Sequence, residues 1–435
     1  MVNELEERLV PLDKMDALLE RGRAIQLESG LAVAARFLAE HRIDPGQFDL
    51  PEDADSPEYR DAQMQIYRRV SGVNDYDPAV HEALSANVEA QVRRPAPFCD
   101  GSMVATGEHL IAYGSILRLL ALPAGARVIE YGQGNGNIAL LLGLMEVKVT
   151  TIDIAPDQAE IVRRRAARID VPVTAAVGQF GDAPPDGERV DAIVFYEAFH
   201  HASDPVGVLR KLRERLVPGG RVVFAGEPIV EDPARPWLGP WGVRLDGQSV
   251  SAMRQLGCHE IGFSRSYFVS MLMRNGFVVS FHSCKETTIG DAWVAKLGDG
   301  IFNLNNITLP PDEDATWGPG HSDPKASHRF ATDKSCVTLH DDPVWNSVRV
   351  TLHNYLSVPL TAIVAVGKES SQVAVSPAAE ATVELPLPAG RRQLRVSSEM
   401  RSLKESNMGD DTQPLGLAVQ RIQLSTSRTK SSPKP

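Results

Sequence analysis

The sequence has few cysteines and spaces them widely. Cys99, Cys258, Cys284 and Cys336 are its four thiols, and none forms a CxxC pair or a Cys/His ligand spacing. That argues against structural zinc and a disulfide framework and fits free thiols in a reducing compartment. Surplus positive charge is lacking too: 45 Lys and Arg face 56 Asp and Glu, a net charge of -11. Wrapping a nucleic-acid backbone requires a basic face, so no nucleic-acid partner is expected. The longest basic run, Arg163 to Arg165, falls on a predicted helix and reads as a solvated face. No apolar run approaches the length of a membrane span. The N-terminal stretch is acidic and has no apolar h-region, so a secretory signal is not expected and the protein is expected to be cytoplasmic. There is no internal repeat.

What is present is ordinary globular material, 43% apolar and 23% charged, in a chain long enough for two or three domains. Residues 1–105 read as a helical N-terminal region, a cap or substrate side, with helical apolar spacing over Leu9 to Glu40 and Tyr59 to Val70. Ser71 to Pro78 is rich in turn residues, and Arg93-Arg94-Pro95-Ala96-Pro97 breaks the periodicity. From His109 the pattern becomes βα alternation over residues 106–300. Strands are predicted at Arg127 to Tyr131, Lys148 to Ile154, Val173 to Val177, Ala192 to Phe195, Arg221 to Ala225, Phe277 to Ser283 and Trp293 to Leu297. Pro156 sits well as the first residue of one intervening helix, and Ser203 or Asp204 caps the next. Pro218-Gly219-Gly220 is expected to end that helix before the fifth strand. The rhythm predicts an α/β fold with a doubly wound, Rossmann-like sheet. Residues 301–335 read as a linker, 336–424 as a C-terminal β-sandwich of short alternating strands, and 425–435 as a polar tail.

The chemistry-bearing stretch is Val128 to Gly136, VIEYGQGNG. A strand ends in Glu130 and opens into Gly132, Gly134 and Gly136. Glycines let the backbone turn sharply and approach a ligand closely, and the helix that follows offers free N–H groups. A glycine loop by itself also suits P-loops and dinucleotide folds. Here the P-loop lysine is missing, and Asn137 occupies the position that a G-x-G-x-x-G spacing requires to be glycine. A second acid, Asp153, ends the next strand, where ribose hydroxyls would lie.

These residues resemble the class I S-adenosylmethionine-dependent methyltransferases, over about residues 105 to 285. Glu130 to Gly136 is similar to that family's E/D-x-G-x-G-x-G loop, and Asp153 to its ribose-binding acid. Gln179 stands where the family places the residue beside adenine, usually Asp, with Phe180 or Asp182 able to share the role. Asp191 to Glu197, followed by Phe199-His200-His201-Ala202-Ser203-Asp204-Pro205, resembles the fourth strand and its loop. Leu216 to Gly220 resembles the L-x-P-G-G turn. The resemblance implies S-adenosylmethionine as cofactor, held by Glu130, Gly132, Gly134, Gly136, Asp153, Gln179, Phe180 and Tyr196.

Methyl transfer from a sulfonium is an in-line displacement, so alignment supplies much of the rate, and a hydroxyl acceptor adds the need for a base. The loop after strand four offers Glu197, His200 and His201 as catalytic candidates, with Tyr196 beside them. Either histidine suits the base, and His201 is favoured, because it aligns with the histidine of the E-x-x-E-H stretch that Glu197 to His201 resembles in quinone-biosynthesis O-methyltransferases. Some of those use a divalent metal; here His200 replaces the second Glu, and no metal is expected. Glu227 to Phe263 is longer than a minimal core requires and reads as a substrate lid, its Trp237 and Trp241 suited to stacking on a sugar. Asp411 to Ile422 resembles the ending of β-rich domains attached to bacterial surface-polysaccharide glycosyltransferases, with Gln413 in place of the usual Arg. The reading that follows is an O-methyltransferase of a sugar or glycan-linked acceptor, with a glycosyltransferase as a possible partner. The alternatives are methylation of a quinone-like or other small aromatic metabolite, or a non-catalytic binding protein of glycan assembly.

Overall fold

The computed structural model describes residues 9–99, 101–230, 235–297, 301–302, 329–330, 335–339, 347–387, 392–402, 404–406 and 416–425. The chain divides into two compact units. One comprises Met1–Val217, Arg221–Phe268 and Phe281–Val294; the other comprises Pro218–Gly220, Val269–Ser280 and Ala295–Pro435.

The helical reading of the first hundred residues holds, with one break. Within Leu9 to Glu40 the helical part begins at Met15 and forms two helices, α1 (Met15–Ser29) and α2 (Leu31–Ala39), because Gly30 between them adopts φ +90, a conformation that interrupts a helix. The short strands Leu9–Pro11 and Arg42–Asp44 flank the pair and lie parallel to each other. Helix α3 (Pro57–Ser71) starts at Ser56, whose hydroxyl accepts from the Tyr59 N–H, and buries Tyr59, Ile66, Tyr67 and Val70. The expected turn at Ser71 to Pro78 leads into one short helical turn, Pro78–His81, capped by Asp77. Helix α4 (Met103–Leu120) precedes the sheet.

The central sheet has seven strands: β1 (Arg127–Tyr131), β2 (Lys148–Asp153), β3 (Val173–Val177), β4 (Val190–Tyr196), β5 (Leu216–Ala225), β6 (Phe277–His282) and β7 (Ala292–Leu297). Their order is β6-β7-β5-β4-β1-β2-β3. The pairs β1–β2, β2–β3, β1–β4 and β4–β5 are parallel. The chain winds outward from β1 in both directions, so the carboxyl ends of β1 and β4 border the switch point where open α/β sheets bind ligands. Val128, Ile129 and Tyr131 of β1 and Ala192 to Phe195 of β4 are fully buried, as strands covered on both faces must be.

Helices α5 (Asn137–Leu144), α6 (Pro156–Ile169), α7 (Pro205–Arg215), α8 (Gly247–Leu256) and α9 (Arg265–Arg274) follow their strands. Pro156 lies in the first turn of α6, and Asp204 caps α7 by accepting from the Gly207 N–H at 3.0 Å. The Pro218-Gly219-Gly220 turn does not separate α7 from the fifth strand. Helix α7 already ends at Arg215, and β5 runs through the turn by slipping register against β4, with Gly219 at φ +76.

Seven further strands form the C-terminal β-sandwich: β8 (Ser335–Leu339), β9 (Ser347–His353), β10 (Leu360–Val366), β11 (Glu369–Val375), β12 (Glu380–Pro386), β13 (Arg392–Ser398) and β14 (Ala418–Ser425). One sheet contains β14-β9-β12, with the two-residue strands Ile301–Phe302 and Arg329–Phe330 on β14; the other is β8-β13-β10-β11. Val348, Val350 and Leu352 of β9 and Leu360, Ala362, Val364 and Val366 of β10 are buried at alternate positions. Most of the expected linker, the Asp411 to Leu415 part of the glycosyltransferase-like ending and the tail beyond Ser425 lie outside the described residues.

Candidate active site

The loop between β1 and α5 carries three glycines in left-handed backbone, Gly132 (φ +61), Gly134 (φ +50) and Gly136 (φ +72). They have different surroundings. A Cβ on Gly132 would lie 2.8 Å from the Ala198 side chain, so glycine keeps this loop against the one after β4. A Cβ on Gly136 would collide with Val162 at 2.6 Å; its absence lets α6 pack against the start of α5. Gly134 has open space where a Cβ would stand. Gly132 and Gly134 line a cavity of about 400 Å³, while Gly136 lets the two helices pack together.

Asp153 lines the same cavity, one carboxylate oxygen accepting from the Ala155 N–H at 2.8 Å. Burial raises its pKa against the pull of neighbouring backbone N–H groups, that of Gly134 among them. Gln179 and Phe180 also line the cavity. The Gln179 N–H donates to the Asp182 carboxylate at 2.8 Å, so the acid that the family places at position 179 stands three residues on and holds the turn.

Two expected cofactor residues lie off the wall. Glu130 is buried and accepts from the Ala139 backbone, tying β1 to α5; burial pushes its carboxyl up to about 8, and Oε2 has no partner. Tyr196 is engaged by His109 of α4, whose Nδ1 is 2.7 Å from the hydroxyl.

The loop after β4 begins at Glu197, which has φ +48 and a carboxylate 4.0 Å from His109 Nδ1. Gly226 makes room for it, since a Cβ there would lie 2.6 Å from the Glu197 side chain. Burial raises the Glu197 pKa, opposed by His109 and His200. A 3₁₀ turn, Phe199–His201, then sets the two histidine rings 4.4 Å apart.

The histidines nonetheless differ. His200 is buried and fixed by Glu227, whose carboxylate accepts from the backbone of Ala198, Phe199 and His200 and lies 2.8 Å from His200 Nδ1. Burial opposes the imidazolium, yet Glu227 and Glu260 outweigh it and raise the His200 pKa; the same pairing holds Glu227 below the carboxylate range despite burial. His201 lines the cavity. Its Nδ1 is 2.8 Å from the His259 carbonyl, which assigns the proton to that nitrogen and leaves Nε2 as the basic one. Burial and the neighbouring His200 lower its pKa to about 4, so it is neutral at working pH.

Donor atoms of His200, His201 and Glu260 lie within 4.8 Å of one another, residue types that suit a divalent ion. Arg244 stands 3.6 Å from Glu260, and His200 pairs with Glu227, so both carboxylates already have basic partners. Behind this loop Trp237 and Trp241 are buried; Trp241 donates its indole N–H to Ala54 and packs on Tyr59. They are core residues, and the stacking role expected of them is withdrawn.

The rest of the acceptor side was missed in the sequence. Tyr76, Pro78, Glu82, Leu84 and Cys258 line the same cavity as the glycine loop. Nothing in their local pattern marked them, because only tertiary packing brings positions 76–84 and 258 to the loop after β4. Glu260 and Glu227 fell within the stretch suspected as a lid, yet their pairing with His200 has no sequence signal.

Residues 108–279 match the family described as a methyltransferase domain. An uncharacterized methyltransferase of Geobacillus thermodenitrificans (strain NG80-2) is 30% identical over 179 residues, 39% of this chain and 77% of that protein. The chain belongs to the S-adenosylmethionine-dependent methyltransferases. Other relatives match over less of their length. The ubiquinone biosynthesis O-methyltransferase of Xanthomonas axonopodis pv. citri (strain 306) is 32% identical over 104 residues, 24% of this chain and 44% of that protein. The 27-O-demethylrifamycin SV methyltransferase of Amycolatopsis mediterranei (strain S699) is 32% identical over 142 residues, 32% of this chain and 52% of that protein. This methyltransferase thus spans about half the length of those two relatives.

The residues present fit the family's cofactor. Gly134 faces open space, Asp153 lines the cavity, and the amide of the buried Gln133 has neither its nitrogen nor its oxygen paired. Among the described residues no helix is long and apolar enough to cross a membrane.

Proposed function

We propose that this methyltransferase transfers a methyl group to a hydroxyl of a small-molecule acceptor, of the quinone-like or other aromatic kind. The observation that carries the reading is a neutral histidine, His201, on the wall of the same cavity that Gly132, Gly134 and Asp153 line. When bound, the cofactor supplies an activated methyl group on its sulfonium. Gly132 and Gly134 leave the backbone open to it, Asp153 receives its ribose hydroxyls, and Phe180 and Gln179 flank the base. The chain's remaining task is to hold the acceptor oxygen in line and take its proton. His201 does this through Nε2, its Nδ1–H held by the His259 carbonyl. His200 fixes the turn through Glu227 rather than meeting the acceptor. Glu197, also on the wall, orders the entrance to this end with His109.

Two relatives bear names that place their methyl transfer at oxygen, which supports a hydroxyl acceptor. The glycan-linked acceptor loses one of its supports with the burial of Trp237 and Trp241, and the names of these relatives favour the small-molecule alternative. The test is release of S-adenosylhomocysteine across a panel of phenols, catechols and glycosides. Turnover of aromatic hydroxyls is expected. Turnover confined to glycosides would reverse the choice of acceptor, and cofactor binding without turnover on any of them would favour a binding protein.

A further inference from the structure

Glu82 lies in the segment after the helical turn Pro78–His81, outside the stretch that matches the methyltransferase family, and it lines the acceptor side of the cavity. Its carboxylate is held on one side only. Oε1 accepts from the Tyr76 hydroxyl at 2.6 Å and from the His259 N–H at 2.6 Å. Oε2 faces His201, 3.4 Å from Nδ1. That Nδ1–H is committed to the closer His259 carbonyl, so Oε2 keeps lone pairs for another donor. Among the described residues its ion-pair neighbour is His201, which is neutral; no lysine or arginine pairs with it. A carboxyl kept in the wall of a cavity without a cation is costly unless something that enters the cavity hydrogen-bonds to it. Burial pushes Glu82 up to about 7, so above that pH it is an ionised acceptor.

We propose that Glu82 selects the acceptor: its Oε2 receives a hydrogen bond from an uncharged hydroxyl next to the reacting oxygen and turns away acceptors that carry a carboxylate or phosphate there. The proposal rests on the small-molecule reading of the site and names the substrate class within it, an acceptor with two neighbouring hydroxyls and no anionic group beside them. Glu197 on the same wall reinforces the exclusion; Asp204 does not, because Arg60 pairs with it at 2.9 Å, and the one lining lysine, Lys211, lies beside Gly181 and forms no ion pair with Glu82. Tyr76 and the His259 backbone act as positioning groups that aim the free oxygen.

The test is binding rather than turnover, at about pH 8.5 where Glu82 is ionised, on the full chain saturated with S-adenosylhomocysteine, by calorimetry or ligand-observed NMR. The probes are catechol, with two neighbouring hydroxyls, and salicylate, with a carboxylate beside one hydroxyl. Catechol is expected to bind roughly tenfold or more tightly than salicylate, as like-charge juxtaposition suppresses the wrong ligand. Glu82→Gln keeps an oxygen for Tyr76 and His259 but removes the charge, and the preference should shrink to about twofold or less. Glu82→Asp keeps the charge on a shorter arm; it should still reject salicylate while binding catechol less well. Equal binding of the two probes, no binding of either, or an unchanged preference in Glu82→Gln would each overturn the proposal. Failure of methyl transfer leaves these binding ratios readable, so the two readings fail separately.

Discussion

The two ends of the cavity are built by different means. The cofactor end comes from short contiguous stretches, 132–134, 153–155 and 178–180, and much of it is backbone: positive-φ glycines and the residues at the carboxyl ends of β1 and β2. The acceptor end is assembled from side chains far apart in sequence, Tyr76, Glu82, Glu197, His201 and Cys258. Its neighbourhood is also rich in buried ionisable groups, with Glu227 behind His200 and Glu260 beside Arg244. A ligand shared by a whole family can be held by backbone geometry, which tolerates little change. An acceptor particular to one protein is held by side chains, which substitution can exchange without moving a strand.

The sharpest way to break this division is at the cofactor end. Gly134→Val is expected to abolish cofactor binding, because its side chain fills the open space of the cavity and its backbone sits at φ +50. Calorimetry with S-adenosylmethionine checks it, and near-normal affinity would show that the ligand does not pass this loop. At the acceptor end, His201→Gln should lower turnover by about 10²–10⁴-fold if general-base catalysis operates, with cofactor affinity held. Steady-state kinetics on an acceptor found in the panel decides it. Equal loss in His200→Gln with no loss of stability would erase the distinction drawn between the two histidines. Asp153→Ala is a smaller lesion of the cofactor end, expected to weaken binding by about 1–3 kcal/mol, the scale of a lost hydrogen bond to a charged group. An isotherm matching the wild type would remove Asp153 from the site.

The smallest expected effect concerns pH. Glu130 and Glu82 are both raised by burial, to about 8 and about 7. A carboxyl raised on folding binds its proton more tightly in the folded state, so its contribution is fully present below the unfolded value near 4.5 and is lost as pH rises through the folded one. His200, also raised, acts in the same sense from the ordinary histidine value upward, whereas Glu227, held low, contributes above the carboxylate range and loses its contribution in acid. The cofactor-free protein should therefore melt lower at pH 8.5 than at pH 6, and thermal scans in the two buffers test it. In Glu130→Gln that slope should flatten; an unaltered slope would place its origin elsewhere.

Much of the cofactor end was legible beforehand, because periodicity and glycine spacing are local properties. The βα rhythm gave strand positions close to those of β1 to β7, and Asp204 was seen as a cap from its place before Pro205. That Gly136 also spares α6 was not legible, because a glycine that spares a ligand and one that spares a helix look alike until α6 is in place. Trp237 and Trp241 were misjudged for a similar reason: an aromatic beside charges reads as a platform until its burial is known.

What the sequence determined by itself was the succession of strands and helices and the glycine loop, since each follows from interactions between residues near in the chain; the class of cofactor came from the family those local motifs resemble. The tertiary structure alone decided which histidine is locked by Glu227 and which faces the cavity, and that Glu82 shares that cavity with the glycine loop. Those outcomes depend on burial and on charges brought together from positions 82, 200, 201, 227, 259 and 260. No local pattern encodes the distance between such residues; packing of the N-terminal segment and the residue 258–260 stretch around the loop after β4 sets it.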